Sequence, residues 1–204
     1  MAMKEETVEA TRQQTRLVLA SRSPRRRELL AAAGYRFEVI PPREEAEGGV
    51  AAEGDPAQLV ARRAYQKAAD VAQRVAAGVI VACDTVAECG GRILGKPADE
   101  ADARRMLQGL RGREHRVLSG LCLWRRPGGE PIVRVAITTL RLDPLADADI
   151  DGYLASGAWQ GKAGGFGYQD RLGWVHVLAG SQSNVVGLPM ELLREMLLET
   201  LSAP

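Results

Sequence analysis

The sequence predicts an α/β protein built on a mixed, twisted sheet with flanking helices. Three observations lead there. Apolar, strand-like runs alternate with capped helical segments through the first half of the chain, the pattern of a sheet covered by helices. Turn signals at Gly90-Gly91 and Pro127-Gly128-Gly129 then join later strands as hairpins, which makes those pairs antiparallel. A chain of 204 residues with 46% hydrophobic side chains can bury its own core without disulfides or a structural metal.

The elements follow in order. Residues 17–20, LVLA, read as a strand. Ser23 suits an N-cap, Pro24 the first helical position and Gly34 the stop, which predicts a helix to about residue 33. Residues 37–40 read as a second strand, and residues 41–54, rich in Pro, Glu and Gly, as a loop. Asp55-Pro56 opens a second helix to about residue 76 by the same capping logic. Residues 78–83 form a buried strand centred on Val79, Ile80 and Val81. A third helix spans 99–110, paired strands span 117–124 and 132–142, and a short helix spans 147–156. A Gly-rich segment covers 157–189, and 190–201 is an amphipathic helix with Leu193, Met196, Leu197 and Leu201 on one face. No repeat or linker divides the chain, so 17–204 reads as a single domain behind a polar, flexible lead-in at 1–16.

Composition excludes several function classes. Lys plus Arg number 27 and Asp plus Glu 26, so no global field draws the chain onto nucleic acid or a membrane surface. Aromatic residues make up 4%, few for stacking on single strands. The lead-in lacks the apolar stretch of a signal peptide, and no run reaches membrane-spanning length; a cytoplasmic location is expected. The three cysteines do not pair into a disulfide framework, and Cys83 and Cys122 lie in apolar runs as small hydrophobes. G-x-S-x-G, P-loop and His-Glu zinc motifs are absent. Any anion site must be local.

Five places carry candidate chemistry. Ser21 to Arg27, SRSPRRR, puts cations at a helix N-terminus whose own dipole favours an anion; a bound phosphate resolves that conflict, and a solvated basic turn is the alternative. Lys67 lies on the apolar stripe of its helix with Val60, Ala64, Val71 and Val75, where it must find an anion or snorkel to water. On that stripe argument, Lys67→Ala leaves stability unchanged or raises it. Asp84 directly follows the buried strand, at the carboxyl end where α/β sheets gather ligands; it reads as a catalytic or metal carboxylate, or as a turn cap. Lys96, in Gly-Lys-Pro, is a second phosphate candidate or an ordinary loop lysine. In KAGGFGYQ the glycines allow close backbone approach to a ligand, and Gln169 offers a donor and an acceptor to a base; a plain surface loop is the alternative. Glu44 and Glu45 are candidate partners of Asp84 on a divalent cation, while His115 and His176 read as structural.

Taken as an ordered set, LVLASRSPRRRELL, ACDTV, ILGKP, GKAGGFGYQ and NVVGLP resemble the Maf family of septum-formation-inhibitor-like nucleotide pyrophosphatases. The resemblance spans residue 17 to about 197. It implies two lobes around a cleft, a homodimer, and hydrolysis of a nucleoside triphosphate between its α and β phosphates with Mg²⁺ or Mn²⁺. It makes Asp84 the catalytic carboxylate and metal ligand with Glu45, and gives Ser21, Arg25, Arg26, Lys67 and Lys96 to the phosphates. Thr85 and Gln169 resemble the dTTP/UTP type; the alternatives are 7-methyl-GTP as substrate, or a non-catalytic nucleotide-binding regulator of cell division. The chain departs from the family pattern in PPREEAEGG and at Asp170, where Gly usually follows the Gln.

Overall fold

The computed structural model describes residues 16–48, 54–170 and 173–202. Residues 1–15 of the expected lead-in lie outside them. The chain runs β1 (Leu17–Ala20), α1 (Pro24–Ala32), β2 (Phe37–Val39), α2 (Glu44–Gly48), α3 (Pro56–Ala72), β3 (Gly78–Cys89), β4 (Arg92–Leu94) and α4 (Glu100–Leu110). It continues β5 (Glu114–Arg126), β6 (Ile132–Leu142), α5 (Asp147–Ala155), two 3-10 turns (Ala163–Gly165 and Tyr168–Asp170), β7 (Val175–Ala179), α6 (Gln182–Val186) and α7 (Met190–Ser202). Sheet order is β2-β1-β3-β5-β6-β7, with β4 beside β3. β1 is parallel to β2 and β3, and every other pair is antiparallel. The mixed sheet matches the expectation.

Capping set the helix starts as read: Asp55 accepts from Ala57 N at 3.0 Å, and Asp99 from Asp102 N at 2.7 Å. Ser23 holds the N-cap position of α1, but its side chain makes no capping bond. Three expectations need correction. Residues 41–54 contain α2 rather than loop alone. The Gly-rich segment holds β7, α6 and two 3-10 turns. β3 does not end at Cys83; it pairs with β5 from Gly78↔Arg126 to Glu88↔Arg116, so long-range pairing carries it through Asp84.

Strand alternation assigns the two faces of β3. Val79, Val81 and Cys83 pack with Leu30, Leu193 and Met196 under α1 and α7. Ile80 and Ala82 face the other way, onto Ala64, Ala68 and Val71 of α3. Beyond Asp84, Ala87 enters a second cluster with Leu107, Ile150, Tyr153 and Phe166 beneath α4 and α5. These two bodies of core are the two lobes, and β3 threads both. No helix among the described residues is long and apolar enough to cross a membrane.

Gly120 on β5 sets how closely α3 lies on the sheet. It sits opposite Asp84 in register, and a Cβ there would fall 2.1 Å from the carbonyl oxygen of Val60. Gly120→Ala must therefore push the α3 backbone off the sheet. The expected loss is about 3 kcal/mol, or roughly 10 °C in Tm. A thermal melt within 2 °C of wild type (on the order of 0.5 kcal/mol) would remove this constraint.

Candidate active site

The topology leaves a notch in the sheet. One edge of β3 is covered by β5 along almost its whole length. The other edge is shared: β1 pairs with residues 79–82 and β4 with residues 87–89. Among the described residues no strand covers 83–86 on that edge, and Asp84 and Thr85 stand there. This is a crevice at the carboxyl end of β1, where open α/β sheets bind ligands. It opens into a cleft of about 730 Å³.

Asp84 points to the α3 face. Lys67 Nζ reaches its Oδ1 at 2.6 Å, and Arg63 Nη1 stands 3.6 Å from its Oδ2. Lys67 and Asp84 are both buried, at 7% and 9% exposure. Lys67 therefore finds an anion inside the protein instead of snorkelling. This reverses the stability expectation for Lys67→Ala, because removing one partner leaves a buried charge uncompensated. Asp84 Oδ2 is buried and accepts no hydrogen bond. It is the atom of the pair left for a proton or a cation.

Thr85 points to the opposite face, towards α1 and the α6–α7 connection. Arg26 joins three elements there: Nε donates to Gly187 O at 2.8 Å, Nη1 to Ser21 Oγ at 3.2 Å and Nη2 to Thr85 Oγ1 at 3.2 Å. Thr85 Oγ1 also meets Ser119 Oγ at 2.8 Å, and Ser21 Oγ accepts from Ser23 N at 3.1 Å. Arg26 thus braces the turn with every guanidinium nitrogen. Arg25 is half-buried and donates to Gly161 O at 2.8 Å across the cleft. Burial, with the Arg26 cation beside it, pulls its pKa below the ordinary value.

The far wall is the glycine-rich loop. Gly164, at φ +73°, donates to Gly95 O at 2.9 Å; a Cβ on it would press on Phe166 at 3.1 Å and Ala87 at 3.3 Å. Only glycine lets this loop lie so close to the β4 connection. Lys96 is exposed on that connection and lines the cleft with Lys162 and Phe166.

The structure thus gathers Ser21, Arg25, Arg26, Lys67, Asp84, Thr85 and Lys96 around one cleft. Glu44 and Glu45 are exposed on α2 and do not line it; Glu44 lies 3.8 Å from Arg22. Gln169 is in the second 3-10 turn, and its side chain lies outside the described set. His115 is buried edge-on against Phe166, with ring centroids 5.2 Å apart, and burial lowers its pKa; His176 pairs with Asp143. Burial pushes the Cys122 thiol up to about 12, as suits an inert core thiol. Sequence reasoning missed Arg63, although it lies four residues before Lys67, on the same helix face.

Among the described residues, seven lysines and arginines line the cleft against one carboxylate, Asp84. Fold and cleft together define an α/β protein with a built site for a multiply charged anion. Residues 16–200 match the model of the family described as Maf-like protein, and the chain belongs to that family. A dTTP/UTP pyrophosphatase of Rhodopirellula baltica is 50% identical over 182 residues, 89% of this chain and 80% of that protein. One from Sphingopyxis alaskensis is 47% identical, over 89% of this chain and 94% of that one. A solved HAM1 protein from Coxiella burnetii shares the fold, with TM-score 0.50 and 18% identity over 91% of this chain and 100% of that one.

Breaking the buried pair tests its weight. Lys67→Met should cost about 3 kcal/mol in denaturant unfolding, and Lys67→Met/Asp84→Asn should regain more than half of that. Additive losses in the double variant would mean that the two groups do not depend on each other.

Proposed function

We propose that this cleft hydrolyses nucleoside triphosphates to the monophosphate and pyrophosphate, with dTTP and UTP preferred. The observation that carries the reading is the excess of cations around one buried carboxylate clamped by Lys67. A triphosphate brings several negative charges, and the departing pyrophosphate gains more. Fixed cations in a partly enclosed cleft favour that redistribution of charge. The names of the relatives at 47–50% identity support the substrate class.

The chain's own groups divide the work. Lys67 holds Asp84 Oδ1 and so fixes the carboxylate beside the notch. Water oriented by Asp84 attacks the α-phosphorus, the proton it loses passes to bulk water, and the bond to the bridging oxygen of pyrophosphate breaks. Arg25, Lys96 and Lys162 face the polyphosphate, while Arg26 keeps Ser21 and Thr85 in place. Gln169 is assigned to the base edge, where one amide pairs with both the N3–H and a carbonyl of a pyrimidine.

A hard divalent cation fits the donor set. Among the described residues no group of three or more His, Cys, Asp or Glu side chains converges to cage an ion. Mg²⁺ in phosphate chemistry needs only one or two carboxylates, because substrate oxygens complete its shell. Asp84 Oδ2, buried without a hydrogen bond, is the oxygen that would hold it. Glu45, being exposed and outside the cleft, is not carried forward as a second ligand. A cation held there would supply neutralisation of phosphate charge and acidification of water. A cytoplasmic site of action fits a free nucleotide substrate.

The test is pyrophosphate release from dTTP, UTP, ATP, GTP and 7-methyl-GTP, with products separated by chromatography. dTTP and UTP should rank first in kcat/KM, excess EDTA should abolish turnover, and Gln169→Ala should narrow the ranking by about tenfold. Asp84→Asn should lose about 10²-fold or more in kcat, and so should the more stable Lys67→Met/Asp84→Asn protein. Release of orthophosphate with a diphosphate, or an Asp84→Asn enzyme within about threefold of wild type, would overturn the mechanism.

A further inference from the structure

Asp170 sits behind the glycine-rich wall and ties three separate pieces of chain. Lys162 Nζ meets its two carboxylate oxygens at 2.6 and 2.5 Å, and Tyr153 OH donates to Oδ2 at 2.8 Å. Lys162 precedes the first 3-10 turn, Asp170 ends the second, and Tyr153 belongs to α5. Tyr153 is itself fixed in the second core cluster, edge-on to Trp174 with ring centroids 5.3 Å apart. Lys162 is 9% exposed, yet it lines the cleft. The pair lies over Gly167, where a Cβ would come within 2.6 Å of Nζ and 2.7 Å of Oδ2. The missing side chain makes room for the ion pair.

The contacts form a closed clamp. The ion pair joins the two ends of the 162–170 loop, and Tyr153 anchors the junction to α5. Inside the loop, Gly165 N donates to Lys162 O at 3.1 Å and Gly164 N to Gly95 O at 2.9 Å. The position of Lys162 is thereby linked to the connection that carries Lys96. An ammonium has three N–H donors. The carboxylate takes two, which leaves one for a ligand. The Asp170 charge also acts on Arg25, the cation that crosses the cleft to Gly161.

We propose that Asp170 is a positioning residue: anchored by Tyr153, it holds Lys162 and the glycine-rich wall in place to grip the polyphosphate of a nucleoside triphosphate. The substrate in this proposal rests on the pyrophosphatase reading; the clamp itself is a property of the nucleotide-free protein. Asp170 does two things with opposite consequences. It orders the wall, which favours turnover. It also cancels the Lys162 charge, which weakens attraction for a polyanion. Removing the charge therefore separates KM from kcat, whereas a merely structural residue lowers the active fraction and leaves KM alone.

Three variants and two readouts test this. Asp170→Asn should lower KM for dTTP by about threefold through the added net charge while kcat drops about tenfold as the wall loosens. Tyr153→Phe keeps every charge, so kcat should drop about threefold with KM unchanged. Asp170→Glu, which restores the charge on a longer stem, should return KM to near the wild-type value. In the nucleotide-free proteins, hydrogen exchange at Gly164 and Gly165 should be about tenfold faster in both Asp170→Asn and Tyr153→Phe. If Asp170→Asn does not fold, Tyr153→Phe decides by exchange and kcat. Unchanged exchange in the folded variants, or a kcat loss that only tracks the folded fraction, overturns the proposal. Should wild type release no pyrophosphate from any triphosphate, the functional reading fails by itself. Exchange and binding of a non-hydrolysable α,β-imido-dUTP then still judge the clamp.

Discussion

Two ions buried side by side, Lys67 Nζ and Asp84 Oδ1 at 2.6 Å, constrain how α3 can lie against the sheet. Neither group is stable alone at such depth, so helix and strand must meet within a few tenths of an ångström. The meeting is prepared next door. Gly120, opposite Asp84 in register, lets the backbone at Val60 come down onto β5, and one turn later Arg63 and then Lys67 arrive over the carboxylate. Ala64 and Ala68, small and fully buried beside these positions, keep the helix close on the same side. The chemistry of the notch and the packing of α3 are therefore one constraint, not two.

The strand pairing sets this carboxylate at the edge of the cleft without placing it in a loop. β3 is satisfied along one edge by β5, so its backbone needs nothing further at 83–86. β1 stops at Ala20 and β4 begins only opposite Ala87, which leaves an opening about four residues long. Because side chains alternate, the opening presents Asp84 to one face and Thr85 to the other. Two adjacent residues thus serve opposite sides of the cleft: a buried carboxylate held by α3, and a hydroxyl that braces Arg26 from α1. A rigid strand sets both orientations more tightly than a turn could.

Much of this was legible in the sequence, and the exceptions have physical reasons. Asp55-Pro56 and Asp99 mark the starts of α3 and α4 because capping is local chemistry, and Pro24 marks that of α1 by its fixed φ, without a capping bond from Ser23. Lys67 on an apolar stripe stood out by local pattern, which left a buried anion and snorkelling both open; the structure supplies the anion. What the sequence hid was non-local. β3 continues through Asp84 because β5 pairs with it, and the polar pair Asp84-Thr85 masks that continuation. Asp170 and Tyr153 lie 17 positions apart and meet only because α5 and the late loop share one core. Glu45 is a metal partner of Asp84 only by family likeness; α2 holds it exposed, and it does not line the cleft.

The near-neutral balance of the chain, 27 basic against 26 acidic residues, conceals how unevenly the charges are used. Outside the cleft, arginines meet carboxylates: Arg104 with Asp151, Arg111 with Asp147, and Arg134 with both Glu195 and Glu199. Such exposed pairs add little stability, but they cancel surface field. Within the cleft the partners change. Arg25 and Arg26 donate to carbonyls and hydroxyls, which hold the guanidinium groups in place and leave their charge unneutralised. Asp84 and Asp170 differ, each held by a lysine within hydrogen-bond distance. Fixing cations with neutral acceptors while sending acids elsewhere gives a local positive potential on a protein with almost no net charge. A polyanion is then drawn to one place on the surface.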